Sequence, residues 1–556
     1  MPAEKELSYE DFKRQTKVPY VIYADFESII TKENQENGAT KRLGLHEICS
    51  YGYIVVRHDG KADAPVIYRG KNAANKFLEA LQDEEEKGEK PGKPSTHCIH
   101  CHKRLVEDFY MDKVLDYCSV TGAYVGAAHW RCRTHVDPEM EIPVFFHNLR
   151  GYDSHLLLQG TDGSDVKCIP NNKERYMSVT VGKLKFLDSQ QFMADSLVNR
   201  VKYNTDFPIS SQYGAERKGV YPYEYMDSWE RFEEPLPSKE RVYSTLTESG
   251  IKDEEYQHAL DVWQKYGCRT RGNYHVIYLR SDVVLLADVF QSFRKMAMEY
   301  YDLDPANFYT APGLSWSALL KKTNEQLHLL TEYDMYRFME DGIRGGVCGP
   351  SRRFARANNP AVEYDPEKPT TYIFYLDANN LYGVDKESDK GYVLEVDLEY
   401  PEHLHDAHDE FPLAPEAIEI PSAQLSPLQQ QMCPNYKPYR KLTMNLMDKR
   451  KYVVHYRNLQ FYVRHGMRVK KIHRVLKFTQ KPWMQPYIAS NTQKRTAAKN
   501  DFENYGHHIH SVTQEKVSLS AFDGKRWMCD DGIHTMAFGH HTISSSSLTN
   551  PRVGPS

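Results

Sequence analysis

Short apolar segments rich in β-branched and aromatic residues recur along the chain and predict strands. They lie at Val18–Tyr23, Ile142–Phe146, Tyr372–Leu376 and Gly391–Leu398, and a further pair of strands is expected around Lys183–Asp188. Apolar positions at helical spacing predict helices over Tyr274–Lys295 and Trp316–Leu330, and a loop is expected over Pro305–Pro312. These elements together predict a protein of mixed α/β and α+β architecture.

Polar segments interrupt this pattern. The acidic run Asp83–Glu86 and the following Lys90–Pro94 predict a solvated linker that leads into a cysteine-rich segment. The serine-rich segment after His541 is expected to be disordered. The sequence contains no internal repeat.

Length and composition indicate a large globular protein. The chain has 556 residues, which at roughly 150 residues per domain predicts three or four domains. Hydrophobic residues make up 40% and charged residues 26%, which excludes general disorder. No segment reaches the roughly 18 apolar residues of a membrane span, and the start lacks the apolar core of a signal peptide. We therefore expect an intracellular protein of unspecified compartment that does not insert into membranes.

Positive charge is concentrated in one segment, Tyr436–Lys481, which we call the basic limb. It carries 14 Lys and Arg residues and one acid, Asp448, so its charge of +13 offsets −18 elsewhere to give a net charge of −5. Aromatic residues are interleaved with these cations. The limb is predicted to form helices, broken at Lys481-Pro482, whose cations suit phosphate contacts while the aromatics pack in the core.

Two acidic residues follow the first predicted strand. Asp25 and Glu27 are separated by one residue, so along an extended segment both carboxylates lie on the same face. Two carboxylates placed in this way can share a metal ion. A solvated strand end presents the same pattern, so the pair alone leaves both interpretations open.

Two later segments supply carboxylates that can join this pair. Asp153 follows the strand that ends before Asn148, and Tyr278 and Asp282 lie four residues apart on one helix face. Two divalent ions about 4 Å apart need several carboxylates, one ion activating water and the other stabilising the leaving oxygen of a phosphodiester. The hypothesis assigns metal binding to Asp25, Glu27, Asp153 and Asp282, orientation of the attacking water to Tyr278, and contact with the DNA end to Asn148.

The ordered segments YADFES, FHNLRGYDSHLL, DSQQFMADSL, RKGVYPYEYMDSWE and YLRSDVVLLADVF resemble the proofreading 3′–5′ exonuclease motifs of family B DNA polymerases, in particular of the protein-primed viral, organellar and mobile-element type. The resemblance covers most of the chain from about Pro19 onward. It implies that Ser196 and Leu197 contact single-stranded DNA and that Lys218, with Tyr221, forms the catalytic-site lysine motif. A helix cap and a surface lysine beside core aromatics are the structural alternatives.

The resemblance also implies a division of the chain into four segments. Residues 1–310 are expected to form an RNase H-like exonuclease domain with a small zinc-bound ββα-like insertion at about 95–135. Residues 311–360 would form a connector, and residues 361–505 a partial polymerase palm and fingers. Residues 506–556 would form a C-terminal remnant and a disordered tail.

Paired cysteine and histidine residues within the insertion are spaced as in a tetrahedral structural zinc site: Cys98, Cys101, His129 and Cys132. Buried thiols with unrelated histidines are the alternative. The residues between the pairs resemble endonuclease VII-like nucleases, but Tyr117 and Ser119 stand where histidines are expected. Because neither side chain can act as a neutral imidazole base, the insertion is expected to bind zinc without nuclease activity of its own.

Later segments resemble polymerase motifs of the same family. In YLDANNLYG the resemblance assigns catalytic metal binding to Asp377 and contact with the nucleotide sugar to Tyr382; a β-bulge carrying a core tyrosine is the alternative. Gly345 and Gly346 suit a close approach of backbone to DNA. The segment from Asn491 resembles the fingers helix, so the nucleoside triphosphate would be faced by Lys494, Arg495 and Lys499. The alternative for these three is a solvated basic helix face.

Two motifs of the family are absent from the sequence. The fingers-like segment does not continue into a Lys-x3-Asn motif, and no Asp-Thr-Asp motif follows it. Asp377 is then the only palm residue expected to bind metal, which leaves the arrangement for phosphoryl transfer incomplete. The polymerase half is therefore expected to be truncated and inactive in DNA synthesis.

The resemblance implies a DNA-directed DNA polymerase that acts in DNA replication with proofreading. Its expected partners are DNA and deoxynucleoside triphosphates, with a terminal protein as a candidate primer. Its expected cofactors are Mg²⁺ or Mn²⁺ and a structural Zn²⁺. A stand-alone metal-dependent 3′–5′ exonuclease and a noncatalytic zinc-stabilised DNA-binding relic remain as alternatives.

Overall fold

The computed structural model describes residues 5–10, 12–15, 17–37, 40–86, 98, 113–117, 124–129, 141–161, 163, 166–172, 174–215, 217–244, 249–362, 364–374, 388–497 and 522–543. They belong to two compact units, one of Ser8–Glu325 and one of Met1–Leu7 with Gln326–Ser556. Both units combine helices and sheets, which confirms the mixed architecture predicted from the sequence. The division into four segments stays a prediction.

A seven-stranded sheet is the centre of the Ser8–Glu325 unit. Its strands are β1 (Tyr20–Asn37), β2 (Thr40–Arg57), β3 (Val66–Arg69), β4 (Ile142–Phe146), β5 (Val166–Asn172), β6 (Arg175–Val181) and β7 (Leu184–Asp188), in the order β3-β2-β1-β4-β7-β6-β5. The central strand β4 runs parallel to both of its neighbours, and the other pairs are antiparallel. Two short strand pairs stand apart from this sheet: Lys113–Tyr117 with Tyr124–His129, and Tyr243–Ser244 with Ser249–Gly250.

Six α-helices are described in this unit: α1 (Ala73–Glu86), α2 (Asp153–Gln159), α3 (Leu197–Tyr203), α4 (Asp253–Lys265), α5 (Arg271–Tyr301) and α6 (Ala311–Thr323). The long helix α5 begins directly after Thr270. The Thr270 N–H donates to Asn273 Oδ1 at 3.2 Å, and this hydrogen bond caps the N-terminus of the helix. Near its other end, Arg294 forms a buried ion pair with Asp304 (Nη2 to Oδ2, 2.5 Å), and Asp304 also accepts from Val18 N–H at 2.9 Å. These contacts tie α5 to the chain segment that enters β1.

Helices α1 and α5 cover opposite faces of the sheet. All five residues of β4 are buried, as expected for a central parallel strand. Successive side chains point to opposite faces, so Phe145 packs on Phe290 of α5, with ring centroids 4.1 Å apart, and Phe146 packs on Phe77 of α1 at 5.9 Å. The core therefore has two layers, one on each side of the sheet.

The Gln326–Ser556 unit contains an antiparallel three-stranded sheet. Its described helices and strands are α7 (Tyr333–Gly342), β8 (Lys390–Glu399), α8 (His405–His408), α9 (Pro427–Met432), β9 (Lys449–His455), α10 (Tyr456–Arg464), β10 (Arg468–Thr479) and α11 (Gln485–Ala497). Strand β8 is central and pairs with both β9 and β10. Three short strand pairs complete the described part: Glu6–Leu7 with Leu327–His328, Glu416–Ile418 with Lys441–Thr443, and Trp527–Met528 with Thr535–Met536.

Several predicted elements are confirmed. The strand Ile142–Phe146 has the predicted bounds, and Gly391–Leu398 lies within β8. The predicted helix Tyr274–Lys295 lies within α5, and the strands around Lys183–Asp188 are β6 and β7. The first strand begins near its predicted position but continues to Asn37, because β2 pairs with it along almost its whole length.

The prediction that the basic limb consists of helices is wrong. Its described residues form three strands and one helix instead of a series of helices. Tyr452, Val453 and Val454 are buried in the strand that pairs with β8, so the β-branched core residues and the pairing decide the structure rather than the helical charge pattern. Lys449, expected to contact phosphate, is fully buried.

Other boundaries differ for local reasons. Helix α6 ends at Thr323 instead of Leu330 because Asn324 adopts a left-handed conformation with φ of 50°, and it starts inside the predicted loop, with Pro312 in its first turn. The acidic run Asp83–Glu86 is the last turn of α1 rather than a linker; Lys90–Pro94 lie outside the described residues. In the predicted strand Tyr372–Leu376, residues 372–374 form no strand, and residues 375 and 376 lie outside the described residues.

Phe77→Ala is expected to destabilise the Ser8–Glu325 unit by about 3–5 kcal/mol, because it would leave a cavity at a fully buried position that contacts five aromatic rings. Urea denaturation measures the effect. Lys76→Ala on the exposed face of the same helix should stay within about 0.5 kcal/mol of the wild type. Equal effects of the two substitutions would contradict the described packing of α1.

Candidate active site

Three carboxylates from two elements converge at one point of the sheet. Oxygen atoms of Asp25, Glu27 and Asp282 all lie within 4.8 Å of one another. Glu27 and Asp282 are 4% and 1% exposed, and Asp25 is partly exposed. Strand alternation directs Asp25 and Glu27 to the face on which α5 packs, and Asp282 comes from the middle of α5.

A glycine allows α5 to approach the sheet at this point. Gly52 of β2 pairs in register with Asp25 of β1. A Cβ atom added to Gly52 would lie 3.1 Å from Leu279 Cγ and 3.4 Å from Val283 Cγ1, both on α5, and 2.8 Å from Ile67. Any larger residue would push away the helix that carries Asp282. Sequence reasoning missed Gly52, for which the only signal was its position between two strand tyrosines.

Asp153 lies beside this group. It is 3% exposed and begins helix α2, directly after the loop that leaves β4. Burial raises its pKa, and repulsion from Asp25 is the next largest cause. Among the described residues it is not part of the group within 4.8 Å, so the structure brings three of the four predicted metal-binding acids together and places the fourth within electrostatic reach.

Burial and mutual repulsion dominate the electrostatics of the cluster. Burial raises the pKa of Asp25 to about 7, Asp282 adds to the rise, and Lys218 opposes it. The pKa of Glu27 is raised well above its usual range by burial and then by repulsion from Asp25 and Asp282. Burial also raises the pKa of Asp282, against the opposing effect of Lys218. A group of acids that resists ionisation is expected to gain from a bound cation.

Lys218 supplies the compensating charge. Its Nζ lies 2.9 Å from Asp282 Oδ2 and 5.7 Å from the centroid of the Tyr278 ring. Burial alone would lower the pKa of this lysine, but attraction to Asp282 and the other neighbouring anions outweighs burial and raises it. The lysine therefore stays charged within the cluster, and its role as the catalytic-site lysine stays a prediction.

Tyrosine side chains form the wall on one side of the cluster. Tyr278 is buried, with its hydroxyl 2.7 Å from that of Tyr223 and its ring stacked on Tyr221 at 4.8 Å between centroids. Tyr221 is held in turn by a 2.6 Å contact of its hydroxyl with His275 Nδ1, and His275 Nε2 lies 2.6 Å from Ser50 Oγ. This chain of contacts fixes the position of Tyr278 relative to Asp282.

The loop after β4 is fixed by a residue that sequence reasoning missed. Asp188 is buried at the end of β7 and accepts hydrogen bonds from the N–H groups of Asn148 (2.9 Å), Arg150 (3.1 Å) and Gln190 (3.0 Å). Asn148 adopts a left-handed conformation with φ of 74°, which asparagine tolerates better than most residues. Asp188 therefore positions the loop that leads to Asp153.

The donor set fits a hard divalent cation. All the converging ligand atoms are carboxylate oxygens, which Mg²⁺ and Mn²⁺ prefer. Both oxygens of buried Asp282 lack a well-oriented hydrogen-bond donor among the described residues, although Lys218 lies at ion-pair distance from one of them. A cation at this point would satisfy buried oxygens that the protein leaves only partly compensated.

The remaining predicted site residues of the exonuclease motifs have ordinary local roles. Ser196 caps helix α3, its Oγ accepting from Asn199 N–H at 3.3 Å, and Leu197 is buried. This cap is the structural alternative considered for the segment, and contact with DNA stays a prediction.

Gly345 and Gly346 lie in an irregular segment after α7. A Cβ atom added at either position would meet nothing within 4 Å of the described structure, and neither glycine has a positive φ. Local sterics therefore do not explain these glycines. Their contact with DNA stays a prediction.

Several other predicted residues lie outside the described residues: Asp377, Tyr382, Cys101, Cys132 and Lys499. The side chain of Arg495 is also outside the description, and Lys494 lies half-buried in α11. Cys98 is buried, and His129 ends the hairpin strand Tyr124–His129. The zinc site and the polymerase site therefore stay predictions.

Comparison with known proteins gives the class of this part of the molecule. Residues 139–365 match the family described as DNA polymerase type B, organellar and viral. This match supports a family B DNA polymerase-type domain over the segment, and it confirms the family resemblance of the motifs that lie within it. The match includes Asn148, Asp153, Lys218, Tyr278 and Asp282, and it starts after Asp25 and Glu27. No curated protein matches the chain.

Among the residues described, none of the helices is both long and apolar enough to cross a bilayer.

The stability of the metal-free protein is expected to fall as pH rises from about 4 to about 7. The folded-state pKa of Asp25 is about 7 and the ordinary aspartate value is near 4, so the folded protein holds a proton that the unfolded chain releases. This contribution is fully present below about pH 4 and is lost as pH rises through about 7. Thermal denaturation of chelator-treated protein across this range measures the slope.

Added Mg²⁺ should restore the stability lost at the upper end of this pH range. Asp25→Asn, which cannot ionise, should reduce both the pH slope and the response to Mg²⁺. Asp63→Asn, at an exposed position of the same unit, should preserve both. A pH slope and a Mg²⁺ response that are unchanged in Asp25→Asn would contradict the proposed electrostatics.

Proposed function

We propose that the Ser8–Glu325 unit is an RNase H-like, metal-dependent 3′–5′ exonuclease, and that the chain is by descent a DNA polymerase of family B of the protein-primed type, acting on DNA in replication. The observation that carries the proposal is the convergence of Asp25, Glu27 and Asp282 within 4.8 Å. The family match over residues 139–365 supports DNA and deoxynucleoside triphosphates as the substrates. A terminal protein primer is part of the proposal by family resemblance alone.

Divalent cations held by Asp25, Glu27, Asp153 and Asp282 would supply charge neutralisation and activation of water for phosphodiester hydrolysis. The protein's own contribution is positioning. Tyr223 holds the Tyr278 hydroxyl at 2.7 Å, and a phenol can both donate and accept, so Tyr278 is suited to orient the attacking water. Lys218, 2.9 Å from Asp282, would supply a positive charge beside the cation-binding acids to attract a phosphate group.

The loop that precedes Asp153 is suited to receive the DNA end. Asp188 accepts hydrogen bonds from the backbone N–H groups of this loop and fixes Asn148 in its left-handed conformation. A pre-formed loop of this kind would hold the terminal nucleotide without a rearrangement of the chain. In this proposal Asp188 is a positioning residue that acts through Asn148 and Arg150.

Asp25→Ala is expected to lower the release of nucleotides from a single-stranded 3′ end by about a hundredfold or more, since it removes a group that holds charge at the reacting phosphate. The assay follows a 5′-labelled oligonucleotide with Mg²⁺. Asp63→Ala is the matched control and should retain the wild-type rate. Wild-type protein that binds DNA without releasing nucleotides would favour the noncatalytic alternative.

The absence of two polymerase motifs from the sequence predicts that the chain does not synthesise DNA. We expect no template-dependent extension of a primer, because the sequence supplies Asp377 but not the further palm carboxylates. A primer-extension assay with the exonuclease variant Asp25→Ala avoids degradation of the product. Extension that is abolished by an additional Asp377→Ala substitution would overturn the truncation hypothesis.

The noncatalytic DNA-binding alternative receives less support. Three acids of the central strand β8 face cations of the basic limb: Arg474 donates to Glu395 at 2.8 and 3.0 Å, Arg450 lies 3.9 Å from Asp397, and Lys470 lies 2.6 Å from Glu399. Part of the positive charge counted in the sequence is therefore neutralised within the fold. A structural zinc bound by Cys98, Cys101, His129 and Cys132 also stays part of the proposal.

A further inference from the structure

A second group of metal-ligating side chains converges in the Gln326–Ser556 unit. Ligand atoms of Asp406, His540 and His541 lie within 4.8 Å of one another. The Nε2 atom of His540 is 3.3 Å from Asp406 Oδ1, and the Nε2 atom of His541 is 3.9 Å from the same oxygen. With metal–ligand bonds of about 2.0–2.1 Å, tetrahedral coordination places neighbouring ligand atoms roughly 3.3 Å apart, so only small movements are needed.

Backbone contacts fix the two chain segments that carry these residues. Asp409, which directly follows α8, accepts from Ala537 N–H at 2.6 Å, and its carbonyl accepts from the buried Arg526 at 2.8 Å. The N–H of His541 donates to His405 Nδ1 at 3.0 Å. The histidine pair is thus held against α8 independently of any interaction between the ligating side chains.

The second ring nitrogen of His540 has a suitable partner. Its Nδ1 lies 2.8 Å from Thr542 Oγ1, and that hydroxyl donates to Met536 Sδ at 3.4 Å. In this arrangement Nδ1 carries the proton and the lone pair of Nε2 points to the side of Asp406, as in most metal-binding histidines. The Thr542 N–H also lies 3.3 Å from this Nδ1, and a hydrogen bond from it would need Nδ1 to be the acceptor. A cation bound at Nε2 would favour the 2.8 Å contact with Thr542 Oγ1, in which Nδ1 is the donor.

Ring packing holds the two histidines of the cluster in place. The rings of His540 and His541 are stacked with centroids 4.5 Å apart, and both Nε2 atoms lie within 3.9 Å of the same Asp406 oxygen. His405 packs against both rings at 5.8 and 5.7 Å, is 4% exposed, and its Nε2 has no hydrogen-bond partner among the described residues. Two imidazole nitrogens within 3.9 Å of one carboxylate oxygen, with a third imidazole packed against their rings, suit a shared cation.

We propose that Asp406, His540 and His541 bind a divalent transition-metal ion of the Zn²⁺ class, which fastens the segment 522–543 to helix α8. Two imidazole nitrogens and one carboxylate favour Zn²⁺ over Mg²⁺, which prefers oxygen ligands. Asp406 is 81% exposed and His541 is 36% exposed, so the outer coordination position is open to water. The site lies outside the exonuclease cluster and does not depend on the proposed function.

The test is a Zn²⁺ titration of metal-stripped full-length protein in the presence of excess Mg²⁺, which occupies the carboxylate cluster. The double variant Asp406→Asn with His541→Gln changes two solvent-accessible side chains and should fold. It is expected to bind one equivalent of Zn²⁺ fewer than the wild type. His403→Gln, at an exposed position of the same histidine-rich segment, is the matched control and should bind as the wild type does.

Two further readouts separate this site from the predicted cysteine site. The difference spectrum between Co²⁺-loaded wild type and double variant should lack thiolate charge-transfer absorption, because the ligands are nitrogen and oxygen. Zn²⁺ should also slow hydrogen exchange in residues 522–543 of the wild type and not of the double variant. Equal Zn²⁺ stoichiometry in both proteins, or a thiolate band in the difference spectrum, would overturn the proposal.

Discussion

Repulsion between buried carboxylates is the constraint on which the Ser8–Glu325 unit depends. Asp25, Glu27 and Asp282 are held within 4.8 Å of one another, with Lys218 at 2.9 Å from Asp282 as the cation that opposes their repulsion. The surrounding fold must supply the stability that this arrangement consumes. It does so with a continuous aromatic core on both faces of the sheet and with the buried Arg294–Asp304 pair, which fixes α5.

The sequence predicts the candidate site one element at a time. Alternation along β1 places Asp25 and Glu27 on one face, and helical spacing aligns Tyr278 with Asp282. What brings these elements together is not visible in such local patterns. Asp25 and Asp282 meet because Gly52 leaves room for α5, and the loop before Asp153 is set by Asp188, a residue from another strand. Only the ordered series of family motifs indicated that the acids converge.

The predicted fold fails where tertiary pairing overrides local composition. The central strand β4 is apolar on both faces, so its bounds are evident from sequence, and α5 is long enough for its helical period to be clear. The basic limb has an ambiguous pattern of cations and aromatics, and pairing of its two longer strands with β8 determines its structure. The end of α6 depends on the left-handed conformation of Asn324, which helical periodicity does not predict.

The two units use carboxylates in opposite ways. Contacts from Arg474 and Lys470 lower the pKa values of Glu395 and Glu399, and burial of Asp397 is outweighed by the Lys451 N–H and His473. These acids stabilise the pairing of β8 and β10. In the first unit burial and repulsion raise the pKa values of Asp25, Glu27 and Asp153, and Lys218 compensates only in part. Acids that destabilise their own fold in this way have no structural reason to be buried together, which favours a role in binding cations.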